Sequence, residues 1–289
     1  VSRASHREAD ASGEAARAAA ALADEADARA GVVTRDARTD ELDGVLARFE
    51  ATWGVGRGAD RSMLQALAHA GNTVLVAVPA PGRVDAAAEL AEPGDPPLGA
   101  ALGFLGWSGG GHLHSHMNTV APEARGRGVG LALKLRQRAE CLARGVDEIR
   151  WTYDPLIRRN ARMNLVRLGA EVTGYLPDFY GDLADAISGG DRSDRFEVRW
   201  RLTSPRAQRA LAQQAPPEWQ GEGGLALVAD FEAVRASQPE TAAELRAASR
   251  EAFAVLADGR LRPELTPDGD YVFTADDPDR TAGPERGIG

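Results

Sequence analysis

Three histidines alternate at positions 112, 114 and 116 of the stretch HLHSHMNTVAPEARGRGVG, and the run Arg125-Gly126-Arg127-Gly128-Val129-Gly130 follows them. Imidazole is the side chain whose ordinary pKa lies nearest neutrality, so a histidine pair suits proton removal. Glycines at the mouth of a helix let backbone N–H groups close on an anion, and the helix dipole favours a phosphate there. Alternating imidazoles on one strand also have a metal reading, because they can converge. No nearby carboxylate or cysteine has a specific claim to complete such a shell, so no metal is expected. Taken singly, each histidine also has a structural reading as a hydrogen-bonding group, and that reading is the one given to His112.

The surrounding elements must position these groups. Residues 112–120 read as a strand with His112, His114, His116, Asn118 and Val120 on one face, since strand side chains alternate. Beyond Pro122, Leu131, Leu135, Ala139 and Leu142 recur at helical spacing, which places the glycine run at a helix start. A short Gly/Arg run is weak alone: a flexible loop explains it as readily. It also lacks the Lys-Ser/Thr ending of a P-loop and the full dinucleotide fingerprint.

Upstream, residues 31–37 predict a strand, and Thr39 caps a helix carrying Leu42, Leu46, Phe49 and Trp53 on one face. A short helix over 61–70, a β-branched strand over 72–78, a long loop over 79–97 and a strand over 98–107 come next. Downstream, 148–154 reads as a strand, 158–168 as a helix ended by Gly169, and 171–176 and 195–202 as strands. Residues 1–30 are alanine-rich with little to bury and read as a frayed or disordered tail. Residues 204–289 carry a strand-helix-strand pattern, LALVADF, 239–256 and YVFT, with a Pro/Gly-rich end read as disordered.

The strand, the Val-x-Pro-Glu connection and the following helix frame Arg125, Gly128 and Gly130 so that they resemble the Arg/Gln-x-x-Gly-x-Gly/Ala signature of the GNAT superfamily of acyl-CoA N-acyltransferases. The element order over 31–203 is similar to that family's, which implies an α+β fold: a mixed, mainly antiparallel sheet flanked by helices and split near its middle for acyl-CoA. SHM at 115–117, PEARGRGVGLALKL from Pro122, WTYDPL from Trp151, Asn160 and Asn164 before LGA, and SDRFEVRW from Ser193 resemble a bacterial subgroup of predicted acetyltransferases. The implied domains are a tail over 1–30, an acyltransferase domain over 31–203 and an extension over 204–289.

The resemblance assigns roles. Backbone amides of Arg125, Gly126, Arg127, Gly128, Val129 and Gly130 would hold the pyrophosphate of coenzyme A, and Val120 would offer its backbone to the pantetheine arm. Asn160 stands where the family often contacts the cofactor, although a helix cap explains it equally well. Histidines at the offsets of His114 and His116 are linked to proton removal in the arylalkylamine branch, which points to His116 as the base and His114 as its partner. Counting back from Gly169, the position of the usual tyrosine acid holds Leu165, so the acid is missing; either Tyr153 or Tyr180 substitutes or the thiolate leaves unprotonated, helped by the helix end, and packing is the other reading of both tyrosines. The donor is acetyl-CoA by family default. Subgroup relatives associated with N-succinylation of amino acids make succinyl-CoA the other donor, with Arg158, Arg159, Arg162 or Arg195 as a carboxylate clamp. A CoA-binding module without turnover is the competing class.

With 289 residues the chain can bury a full core, and its net charge of −9 argues against broad nucleic-acid binding while suiting cationic amines. Cys141 is the only cysteine, which rules out an internal disulfide. No stretch is apolar enough to span a membrane, and none reads as a signal peptide, so the expected setting is cytoplasmic. The expected partners are a small amine or amino acid and, through the extension, a second copy in a homodimer.

Overall fold

The computed structural model describes residues 3–82, 95–181 and 190–280, with side chains from residue 12. The chain divides into two compact units, residues 1–149 and 150–289.

In the first unit four antiparallel strands lie in the order β1 (Val32–Asp36), β2 (Thr73–Pro79), β3 (Gly99–Gly106) and β4 (His112–Val120). One sheet face carries helix α2 (Leu42–Trp53), whose Leu42, Val45 and Phe49 pack with Leu64 of α3 (Arg61–His69) and with Val74, Leu102 and Met117 of the strands. The apolar stripe at helical spacing dictates that burial. Thr39 is not the cap of this helix. A 3-10 turn over Thr39–Glu41 precedes α2, and the Glu41 carboxylate accepts the Arg38 N–H at 2.8 Å. An acidic side chain at the turn's end reaches back where the shorter threonine does not.

The other sheet face carries α4 (Val129–Ala143). Along it runs α1 (Arg3–Ala30), formed by the segment expected to be a disordered tail. The correction has a steric cause. Ala19, Ala23, Ala26 and Ala30 are buried, and small side chains on one face let two helix backbones approach closely enough to bury area without large apolar groups. Arg136 on α4 clamps the pair by donating to Asp24 at 2.7 Å and Asp27 at 3.0 Å, and Asp27 also accepts the Thr34 N–H at 2.9 Å.

The division between units falls within β5 (Glu148–Tyr153). In the second unit β5, β7 (Arg195–Arg201) and β6 (Glu171–Leu176) are neighbours in that order, with β6 and β7 antiparallel. The helix expected over 158–168 is one α-helical turn, α5 (Arg158–Ala161), continued by a π-helical segment, Arg162–Arg167. Helix α6 (Pro205–Leu211) is capped by Ser204, whose hydroxyl accepts the Ala207 N–H.

The extension is richer than the expected strand-helix-strand. It has β8 (Gly224–Leu225), α7 (Phe231–Ser237), α8 (Pro239–Phe253), β9 (Arg262–Leu265) and β10 (Tyr271–Thr274), with sheet order β8-β10-β9. The LALVADF strand stops after Leu225, and Asp230 starts α7 by accepting the Ala233 N–H at 3.0 Å. Phe196, Phe253 and Tyr271 meet at ring-centroid distances of 4.7 to 5.8 Å as this unit's aromatic core. The expected disorder of the chain's end and most of the 79–97 loop lie outside the described residues. The fold class is α+β, a mainly antiparallel architecture flanked by helices.

Candidate active site

The histidine strand holds an irregularity that alternation alone hides. Leu102 pairs with Met117 and Gly103 with Ser115, so His116 has no partner on β3 and forms a one-residue bulge. A bulge resets the alternation of the strand that carries it. Ser115 turns to α4, as do Asn118, whose Nδ2 donates to the Gly130 carbonyl at 3.3 Å, and Val120, which packs against Gly130. Met117 joins the α2 core. The expected common face is therefore broken: the histidines do not share the face of Asn118 and Val120.

The histidines do meet one another. Phe104 lies 5.3 Å from the His114 ring and 5.8 Å from the His116 ring, and the two imidazoles are 6.1 Å apart. His116 is exposed and His114 half-buried. Burial pushes the His114 pKa down to about 4, with His116, His112 and Lys134 adding repulsion; the His116 pKa is lowered by desolvation alone, protein crowding its ring despite an open edge. Both rings favour the neutral form that can accept a proton, and His116 does so without added cationic repulsion. His112 is structural. Its Nδ1 donates to the Gly110 carbonyl at 2.9 Å, and its ring fills the space over Gly106, where a Cβ would lie 2.6 Å from Nε2.

The glycine run forms a turn into α4. After a 3-10 turn at Pro122–Ala124, Gly126 has φ +75° and Gly128, the residue before the helix, has φ +91°. These left-handed values favour glycine. Arg125, Gly126 and Gly128 are exposed and Arg127 half-buried, while Val129 is buried against Gly99. The first N–H groups of a helix have no intrahelical acceptor, so the turn presents donors at the positive end of a 15-residue helix. That donor set fits a diphosphate.

Behind the bulge lies a polar chain that sequence reasoning missed. Lys134 Nζ donates to Ser115 Oγ at 2.7 Å, Ser115 Oγ to Gln137 Oε1 at 2.7 Å, and Gln137 Nε2 to Thr73 Oγ1 at 3.2 Å. All four residues are buried, and burial pushes the Lys134 pKa down to about 7. One signal was available: Lys134 is the only lysine in the chain. Cys141, on the same helix, is buried and its thiol pushed up to about 12, which withholds a thiolate nucleophile.

In the second unit Asn160 lies half-buried on α5, its N–H bonded to the Ile157 carbonyl at 2.9 Å. Leu165 is buried in the π-helical segment. Tyr153 is buried with its hydroxyl 3.2 Å from that of Tyr271, and burial raises its pKa; the Tyr180 hydroxyl lies 3.1 Å from that of Thr152. Arg158 pairs with Asp270 and donates to the Gly269 carbonyl, and Arg159 pairs with Glu232. Arg195 stacks over Tyr180 at 5.4 Å.

The motif carboxylates prove to be anchors. Asp154 and Asp191 receive Arg246, and Asp194 receives Arg250 at 2.8 Å through Nε. Asn164 accepts from Trp151 Nε1 at 3.3 Å. Among the described residues no group of three or more His, Cys, Asp or Glu is placed to hold a metal ion, and no helix is long and apolar enough to cross a membrane.

No family model and no curated protein sequence matches the chain. Solved structures with a similar arrangement include the N-acetyltransferase from Staphylococcus aureus Mu50, 16% identical with a TM-score of 0.44, over 60% of this chain and 99% of its own. The ribosomal-protein-S18-alanine N-acetyltransferase from Escherichia coli is 12% identical with a TM-score of 0.44, over 59% and 94%. The yncA protein of Salmonella typhimurium, solved with acetyl-CoA, is 17% identical with a TM-score of 0.43, over 65% and 98%.

Proposed function

We propose that the chain is an acyl-CoA-dependent N-acyltransferase that acylates a small primary amine by direct attack in a ternary complex. The observation that carries this reading is the exposed Gly126–Gly128 turn at the start of α4, directly after the strand that bears a neutral histidine pair. In this reading residues 31–203 form the acyltransferase domain and 204–289 the extension, whose outer face would serve a homodimer.

The backbone of Arg125 to Gly130 holds the diphosphate, Arg125 and Arg127 add side-chain charge, and Val120 and Asn160 meet the rest of the donor. His116, with His114 beside it, takes a proton from the ammonium, directly or through water. The freed amine nitrogen forms a bond to the thioester carbonyl carbon and gives its second proton to solvent, the carbon–sulfur bond breaks, and the thiolate departs with the electron pair. Leu165 has no proton to give and Tyr153 is committed to Tyr271, so the thiolate takes its proton from solvent or Tyr180. Buried Cys141 offers no thiolate for a covalent acyl-enzyme route.

Acetyl is the default acyl group. A succinyl donor would need its carboxylate paired by an arginine, for which Arg158, Arg159, Arg162 and Arg195 are the candidates. Thiol release from acetyl-CoA and succinyl-CoA, side by side against L- and D-amino acids and alkyl and aryl amines, tests the reading. Amine-dependent release with one donor supports it. CoA binding with no amine stimulating release replaces it with a non-catalytic binding module, the reading favoured by Leu165.

A further inference from the structure

The bulge at His116 sits over a built structure. Gly103, the β3 partner of Ser115, is where the polar chain of Lys134, Ser115, Gln137 and Thr73 passes over the sheet. A Cβ at Gly103 would lie 2.8 Å from Thr73 Oγ1 and 2.9 Å from Gln137 Nε2. The chain closes on the same residue, because Thr73 Oγ1 donates to the Gly103 carbonyl at 3.4 Å. Buried polar groups strung together in low dielectric have few alternative arrangements, since each broken link leaves an unsatisfied donor or acceptor.

We propose that Ser115, held between Lys134 and Gln137, is the positioning residue that locks the β4 bulge and so turns His116 onto the Phe104 and His114 rings. Without that lock a one-residue slip is the natural alternative, because removing a bulge restores regular pairing and carries residues on its far side to the opposite face. Ser115 would then leave α4, and the imidazoles would part. The inference rests on the reading of His114 and His116 as the catalytic pair only for its effect on turnover; the geometry it asserts is measurable without turnover.

The identity of Lys134 supports the lock. Every other permanently cationic side chain in the sequence is arginine. Arginine is always charged and needs several acceptors in its plane, whereas a lysine amine with its pKa pushed down to about 7 can sit against a hydroxyl.

The test uses Ser115→Ala, Gln137→Met and the conservative Ser115→Thr in the full chain, each read by nuclear Overhauser contacts between the Phe104 and His116 rings, by histidine proton titration, by CoA affinity and by kcat. Ser115→Ala and Gln137→Met are expected to lose the Phe104–His116 contact, to shift the His116 titration toward the ordinary histidine range, and to lower kcat about tenfold or more with CoA affinity kept within about twofold. Ser115→Thr restores all of these. Should Ser115→Ala fail to fold, Gln137→Met decides. Persistence of the ring contact and of the titration midpoint in the folded variants would overturn the inference. Absence of turnover in the wild-type chain, with the ring contact still lost in the variants, overturns the acyltransferase reading and leaves this one standing.

Discussion

Arg246 grips Asp154 with both ends of its guanidinium, Nη1 to Oδ1 at 2.9 Å and Nη2 to Oδ2 at 2.8 Å, while its Nη2 also reaches Asp191 at 2.7 Å. The arginine is on α8 and is buried. Replacing it by Met leaves Asp154 and Asp191 to the longer contacts of Arg235, at 3.5 and 3.4 Å, at a cost of about 1 to 3 kcal/mol. Urea denaturation of Arg246→Met should show that loss, and Asp154→Asn in the same background should recover part of it. A change under 1 kcal/mol would mean the pair is not the anchor of this helix.

Asp194 gives the second unit an acid limit. Arg250 and the Tyr175 hydroxyl hold its carboxyl at about 2, below its ordinary 3.8, despite burial acting the other way. A depressed carboxylate contributes stability that is whole above pH 3.8 and is lost as pH falls toward 2. That contribution is on the order of 2 kcal/mol. Acid titration of stability should therefore be flatter through this window in Asp194→Asn than in the wild type.

His114 limits the first unit higher on the scale. Its folded pKa, about 4, lies below the ordinary 6.5, so its share of stability is present above pH 6.5 and falls away toward pH 4, a loss of about 2 kcal/mol once screening by water is allowed for. Lys134→Met removes one of the neighbouring cations and should raise the His114 midpoint in a proton titration. An unmoved midpoint would show that Lys134 adds nothing to the effect of burial and the neighbouring imidazoles.

Gly128 should tolerate no side chain. Gly128→Val places a β-branched residue at φ +91° beside the amides proposed to hold the diphosphate, and calorimetry with CoA should show affinity falling at least about tenfold while the melting temperature drops only a few degrees. Undiminished affinity would remove the turn from the binding site.

Much of this frame was legible in the residues. The stripe of Leu42, Phe49 and Trp53 announced α2, and the histidine strand, the glycine turn and α4 stand in the expected order. The failures share a cause: they depend on partners distant in the chain. Alanines along α1 look unable to bury anything until α4 lies beside them. The bulge exists only in the pairing of β3 with β4, so alternation put His116 and Asn118 on a common face. Asp154 and Asp194 read as family markers because Arg246 and Arg250 stand far along the sequence. Lys134 was countable, but its meaning needed Ser115.

A chain with a single buried side-chain amine is its own opening sensor. Any terminal amine aside, reagents that acylate amines have one target, and it is sealed under α4 against the sheet. Its labelling rate would therefore clock how often the first unit breathes, and a ligand seated at the start of α4 should slow that clock without touching the lysine.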